Sequence, residues 1–244
     1  MLKSISMTLF IVIIHSEMRA ENQVYHDPWA STSCLLLDVE KRTFIARNTE
    51  LALDGIFVEK GNQLILKSTN GSWNIFCQKA NPQNVFFKNG LRCRSADSKN
   101  DWRQYVQRAS AIPVGSLADM NANKVVYLGK TTATSKTALK VRAQPTVNAK
   151  AMIFRVMKSE YETCGIFPFT SESDRARYTT KDSMTAGYKF YAHARTASKA
   201  KVGTSENYWY YVVVQDGCPG SVEGWSFGGF IELSDEVPED ICAP

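Results

Sequence analysis

Histidine is scarce in this chain of 244 residues, with three in all, His15, His26 and His193. None stands in an H-x-H or H-E-x-x-H spacing, and no two cysteines form a C-x-x-C pair, so the sequence offers no metal centre and calls for no cofactor. A Gly-x-Ser-x-Gly elbow and a phosphate-binding glycine loop are also missing, which removes the commonest hydrolase and nucleotide signatures. Charge of one sign is not in excess either: 29 Lys and Arg stand against 24 Asp and Glu, a formal +5. That balance argues against a nucleic-acid-binding protein. Beyond the first twenty residues no apolar run is long enough to cross a bilayer as a helix.

What is present begins with an export pattern. Lys3 precedes an apolar run centred on 9–14, and the small residue Ala20 follows polar Ser16, Glu17 and Arg19. This is the layout of a signal peptide over 1–20. Losing Lys3, Arg19 and Glu17 with it takes the formal charge of +5 to about +4. The mature chain is then expected to be exported, periplasmic or extracellular, with no transmembrane span. All six cysteines, Cys34, Cys77, Cys93, Cys164, Cys218 and Cys242, lie after this segment. An even number in an exported chain favours disulfides. The spacing fits Cys77 with Cys93 across one hairpin and Cys164 with Cys218 across another, leaving Cys34 and Cys242 to join the two ends.

From Phe44 onward short runs of β-branched and aromatic residues alternate with turn residues. Asn70-Gly71 and Asn89-Gly90 are both hairpin-turn dipeptides. Asn70-Gly71-Ser72 also fits a glycosylation sequon, as many turns do. Residues 97–111 place Trp102, Tyr105, Val106 and Ala109 at helical spacing, and Pro113 would end the helix. The reading is therefore mostly β, with an N-terminal β-rich domain over 21–112 that ends in a helical connector, and a second domain over 113–244. Within the second, 159–207 reads as a long insertion, and Glu232, Asp235, Glu236, Glu239 and Asp240 make an acidic tail.

Two segments of the second half carry a resemblance. Leu-Lys-Val-Arg-Ala-Gln-Pro at 139–145 resembles the opening strand of a bacterial SH3-like domain, and Gly-Trp-Ser-Phe-Gly-Gly-Phe-Ile at 224–231 resembles its closing strand. The resemblance implies that the Gly224-Trp225 segment pairs back with the start of the module. It also implies two small, disulfide-stabilised SH3-like barrels, the N-terminal half being a degenerate copy. Such modules hold ligands, and some accompany papain-like wall peptidases. The Thr-Ser-Cys-Leu sequence around Cys34 does not match the Asp-Cys-Ser pattern of those nucleophiles, so no catalytic residue is assigned.

Candidate ligand-binding residues are Tyr191, His193, Arg195, Tyr208, Tyr210 and Phe227. Strand alternation puts Phe190, Ala192 and Ala194 on one face and Tyr191, His193 and Arg195 on the other. Aromatic rings beside cations suit a sugar or an anionic polymer. Trp209 and Trp225 read as core. The function expected is non-catalytic binding of peptidoglycan or an envelope protein. The alternatives are an envelope wall hydrolase with an acidic site, or a secreted adhesin or inhibitor that grips a protein through the insertion.

Overall fold

The computed structural model describes residues 22–28, 33–48, 52–71, 73–96, 102–157, 163–164, 178–215 and 221–234. The first half is a closed antiparallel barrel. Its strands are β1 (Gln23–His26), β2 (Ser33–Asp38), β3 (Thr43–Asn48), β4 (Ala52–Lys60), β5 (Gln63–Ser68), β6 (Asn74–Ala80), β7 (Gly90–Ser95) and β8 (Arg103–Gln107). Each pairs with the next, and β8 closes on β1 through Tyr25 opposite Gln107 and His26 opposite Val106. Period-two alternation sends Leu35 and Leu37, Leu64 and Leu66, and Cys77, Leu91 and Cys93 inward, where they pack with Phe44 and Phe57. Closure leaves no edge strand to aggregate. The half expected to be a degenerate SH3-like copy is thus an eight-stranded meander.

Three local expectations in this half can be compared directly. Asn70 and Gly71 do turn β5 into β6, with the Gly71 N–H donating to the Ser68 carbonyl at 2.9 Å. Cys77 and Cys93 face each other across β6 and β7 and form a disulfide. The Asn89-Gly90 hairpin is not found. Gly90 is the first residue of β7, and residues 81–89 make a longer connection that carries Phe86 away from the barrel.

The helical connector over 97–111 is corrected as well. Residues 103–107 form β8, and only a single 3-10 turn, Arg108–Ser110, follows. The barrel overrides the local spacing, because β7 and β1 on either side satisfy the backbone of β8. Residues 97–101 lie outside the described residues.

The second half is an open, curled sheet. Its strands are β9 (Leu117–Met120), β10 (Asn123–Ser135), β14 (Lys189–Thr196), β17 (Trp209–Gln215), β18 (Ser221–Phe227) and β19 (Ile231–Leu233). The spatial order is β18, β17, β14, β10, β19, with β9 also against β10. Smaller pairings involve β11 (Phe154–Met157), β12 (Thr163–Cys164) and β13 (Tyr178–Lys181), and a hairpin of β15 (Ala200–Val202) and β16 (Ser205–Asn207). The segment 159–207 is therefore not simply an insertion, since it supplies β14, a central strand of this sheet.

The pairing implied by the Gly-Trp segment is present. Arg142 and Trp225 exchange two backbone hydrogen bonds of 2.8 Å, and the Ser226 hydroxyl donates to the Lys140 carbonyl at 3.0 Å. Gly224 permits this approach, because a Cβ there would lie 2.5 Å from the Arg142 carbonyl oxygen.

Both faces of the sheet are covered. Leu139, Val141, Met184, Phe190, Val212 and Ile231 fill one. Val125, Tyr127, Trp209, Tyr211, Trp225 and Phe227 fill the other, where Phe86 from the barrel completes the cluster. Trp209 and Trp225 are core residues, as the sequence suggests. No helix among the described residues is long and apolar enough to cross a membrane. The expected pairs Cys164–Cys218 and Cys34–Cys242 involve Cys218 and Cys242, which lie outside the described residues.

Candidate functional site

Two irregularities in neighbouring strands decide where the candidate residues point. Tyr127 on β10 faces Ala194 on β14, but the next pair is Thr131 with Ala192, so residues 128–130 are extra on one strand and His193 is extra on the other. The β14–β17 pairing slips at the same point, between Ala192 and Ala194. A bulge of this kind breaks the period-two alternation. Ala192 accordingly packs into one core cluster and Ala194 into the other.

The expected common face of Tyr191, His193 and Arg195 is thereby corrected. Tyr191 lies opposite Val213, on the side of the Trp209 and Trp225 cluster. Arg195 lies opposite Tyr210, which packs against the other cluster. His193, 3% exposed, is buried at the bulge. Burial first, and then the charge of Lys130, hold its imidazole down to about 3, so at neutral pH it is uncharged and away from solvent. Phe227, also 3% exposed, is core rather than groove.

Among the described residues, the remaining candidates meet cations at two separate places. The Lys130 ammonium sits 4.0 Å from the centre of the Tyr191 ring. The Arg195 guanidinium sits 4.0 Å from the centre of the Tyr208 ring, and Lys199 approaches the same ring at 5.8 Å. Lys130 is a member that sequence reasoning missed, because its position depends on the extra residues in β10.

The second pair is the better built. The Thr196 hydroxyl accepts from the Trp209 N–H at 3.1 Å and donates to the Ser198 carbonyl at 2.7 Å, which ties the end of β14 to the start of β17. The Asn207 side chain accepts from the Tyr208 N–H at 2.8 Å, and the Tyr208 carbonyl accepts from Gly228 at 2.9 Å. A Cβ at Gly228 would lie 2.5 Å from the Tyr210 ring and 2.9 Å from the Tyr208 carbonyl, so this junction requires glycine. Beside it Phe230 is 41% exposed and packs edge-on against Phe227 at 5.9 Å.

Of the six candidates, the structure gathers Arg195, Tyr208 and Tyr210, with Lys199 beside them. The Tyr210 phenol is raised by burial and remains protonated. Two cations and two phenols can stack on an apolar face and attract an anion. Among the described residues no three His, Cys, Asp or Glu side chains come together as a metal-binding group. Comparisons with family models, with curated proteins and with solved structures found no match for the chain.

Proposed function

We propose that the chain is an exported, non-catalytic binding protein of the bacterial cell envelope, whose second half acts as an SH3-like module that holds peptidoglycan. The observation that carries this reading is the Arg195 guanidinium stacked on Tyr208, with Lys199 over the same ring and Tyr210 alongside. Peptidoglycan offers complementary chemistry, with sugar faces for the aromatic rings and stem-peptide carboxylates for the cations. Arginine suits this role because its planar, weakly hydrated head both stacks and pairs with a carboxylate. The pairing of Arg142 with Trp225 supports the SH3-like reading of the second half, since it joins the two segments that carry the resemblance.

His193, the histidine nearest to this patch in sequence, is buried and neutral. Hydrogen exchange of the full chain with and without solubilised peptidoglycan fragments tests the proposal. Protection concentrated in residues 195–210, with no growth of new reducing ends over time, is the expected result. Steady release of reducing ends by catalytic amounts of protein would replace it with a hydrolase.

A further inference from the structure

The outer wall of the closed barrel carries a row of apolar side chains that lie outside its core. Phe57, Leu64, Leu66 and Cys77 point into the barrel, so strand alternation turns Val58, Ile65 and Phe76 outward. Register sets them side by side, since Val58 lies opposite Ile65 and Ile65 opposite Phe76. Arg94 lies opposite Phe76 and closes the row, its guanidinium 5.4 Å from the centre of the Phe76 ring and 5.1 Å from that of Trp102. Ile56, two positions before Val58 on β4, widens the strip, and Ile45 on β3 is its diagonal neighbour. Ile56 is 57% exposed, Ile45 38% and Val58 37%. Exposed aliphatic side chains grouped in this way mark an interaction surface.

Cations flank this strip on both sides. On one side Lys60 lies opposite Gln63, Gln63 opposite Gln78, and Gln78 opposite Arg92. On the other, Lys67 lies between Ile56 and Asn74. Lys60, Lys67 and Arg92 are exposed, and no ion pair among the described residues uses them. Arg92 rests beside Trp102, 5.4 Å from the ring centre. The acidic groups of β4 are engaged elsewhere. The Asp54 carboxylate, on the same face beside Ile45, accepts from the Thr69 hydroxyl at 2.7 Å, and Glu59 pairs with Lys79.

We infer that this wall docks on an anionic lipid surface, with Ile56, Val58 and Ile65 entering the headgroup boundary and Lys60, Lys67 and Arg92 meeting lipid phosphates. Long cationic side chains lay their stems along an apolar strip while their heads reach outward, and indole rings favour the same boundary. Charge complementarity selects the occupant. A second copy would bring the cations of both walls together, and a rigid protein touches the convex wall of a barrel along little more than a line. A fluid headgroup layer conforms to that wall and supplies negative charge on every side of the strip. The face is separate from the Arg195 and Tyr208 patch and does not rest on peptidoglycan binding.

The test is co-sedimentation of the mature protein, which lacks the apolar run at 9–14, with vesicles of mixed phosphatidylglycerol and phosphatidylcholine and with vesicles of phosphatidylcholine alone. Binding to the mixed vesicles is expected, about tenfold or more tighter than to phosphatidylcholine and weakened by salt. Ile56→Thr combined with Val58→Thr keeps both side chains β-branched and should weaken that binding about tenfold. Lys60→Gln and Lys67→Gln should each weaken it about fivefold. Arg195→Ala should bind vesicles as the native protein does. No binding to the mixed vesicles, equal binding to both kinds, or binding unaffected by the threonine and glutamine variants would each overturn the inference. Poly-glutamate bound as tightly as the mixed vesicles would replace the lipid with an acidic polypeptide, and a dimer that Ile56→Asp dissociates, without vesicle binding, would replace it with a second copy. If the threonine variant does not fold, the two lipid compositions and the two glutamine variants decide the matter alone.

Discussion

Phe86 of the barrel stacks on Tyr127 of the second sheet, with ring centres 4.5 Å apart and an interplanar angle of 22°. The loop that carries Phe86 leaves the barrel between β6 and β7, and Phe86 is fully buried in a cluster whose other members belong almost entirely to the second half. The two halves therefore share a hydrophobic core.

Replacing Phe86 with Ala should remove that shared layer at a cost of about 3–5 kcal/mol, the usual range for a fully buried phenylalanine. Urea unfolding followed by tryptophan fluorescence measures it. Two separated transitions are expected in Phe86→Ala where the native protein shows one, because the barrel and the sheet each keep their own core. A single transition with unchanged midpoint would mean that the halves are not coupled through this ring.

How much of this was readable in the sequence depends on whether the deciding interaction is local. The Asn70-Gly71 turn and the Cys77–Cys93 pair were legible because each lies within one hairpin. Trp209 and Trp225 were legible as core because strand alternation holds around them. The helix expected over 97–111 was not corrected by anything local: Val106 and Tyr105 take opposite faces of β8 only because β1 closes the barrel. His193 was misplaced for the same reason, since the residues that disturb its alternation sit on β10, more than sixty positions earlier. The destination of Phe86 depends on a cavity built from the other half of the chain.

His193 should make the fold sensitive to mild acid. Its imidazole is held at about 3 in the folded protein against an ordinary 6.5, first by burial and then by Lys130. A depressed folded-state value means the unfolded chain takes up the proton first. Its contribution is therefore fully present above pH 6.5 and is lost as pH falls toward 3. The slope is at most about 1.4 kcal/mol per pH unit from this group. Between pH 6.5 and 5, before most carboxylates titrate, His193→Gln should show a flatter loss of stability than the native protein. His26 is retained in both proteins, so the difference reports on His193. Parallel slopes would show that the imidazole is not buried.

Cys77→Ser paired with Cys93→Ser removes a bond that closes a loop spanning a sequence separation of 16. The expected loss is about 3 kcal/mol, and it should be matched by adding a reductant to the native protein. A thermal melt in the two conditions checks both halves of that statement. No change on reduction would show that the pair is not bonded in the isolated protein.

Gly228→Ala should disturb the patch without touching a charged residue. Its new methyl group would press on Tyr210 and on the Tyr208 carbonyl, at 2.5 and 2.9 Å. Overpacking of this kind costs about 1–3 kcal/mol. It should also weaken peptidoglycan binding, by displacing the ring on which Arg195 rests. Full binding with full stability would mean that the turn after β18 tolerates a side chain at this position.

The most direct measurement is co-sedimentation of the oxidised mature protein with purified insoluble peptidoglycan, comparing the native protein with a Tyr208→Ala, Arg195→Ala variant of the same thermal stability. Saturable binding by the native protein, weakened by rising salt as expected for exposed charges and lost in the variant, is the expected result. Native protein that stays in the supernatant, or a variant that sediments as well as the native chain, would contradict a wall-binding site at Arg195 and Tyr208.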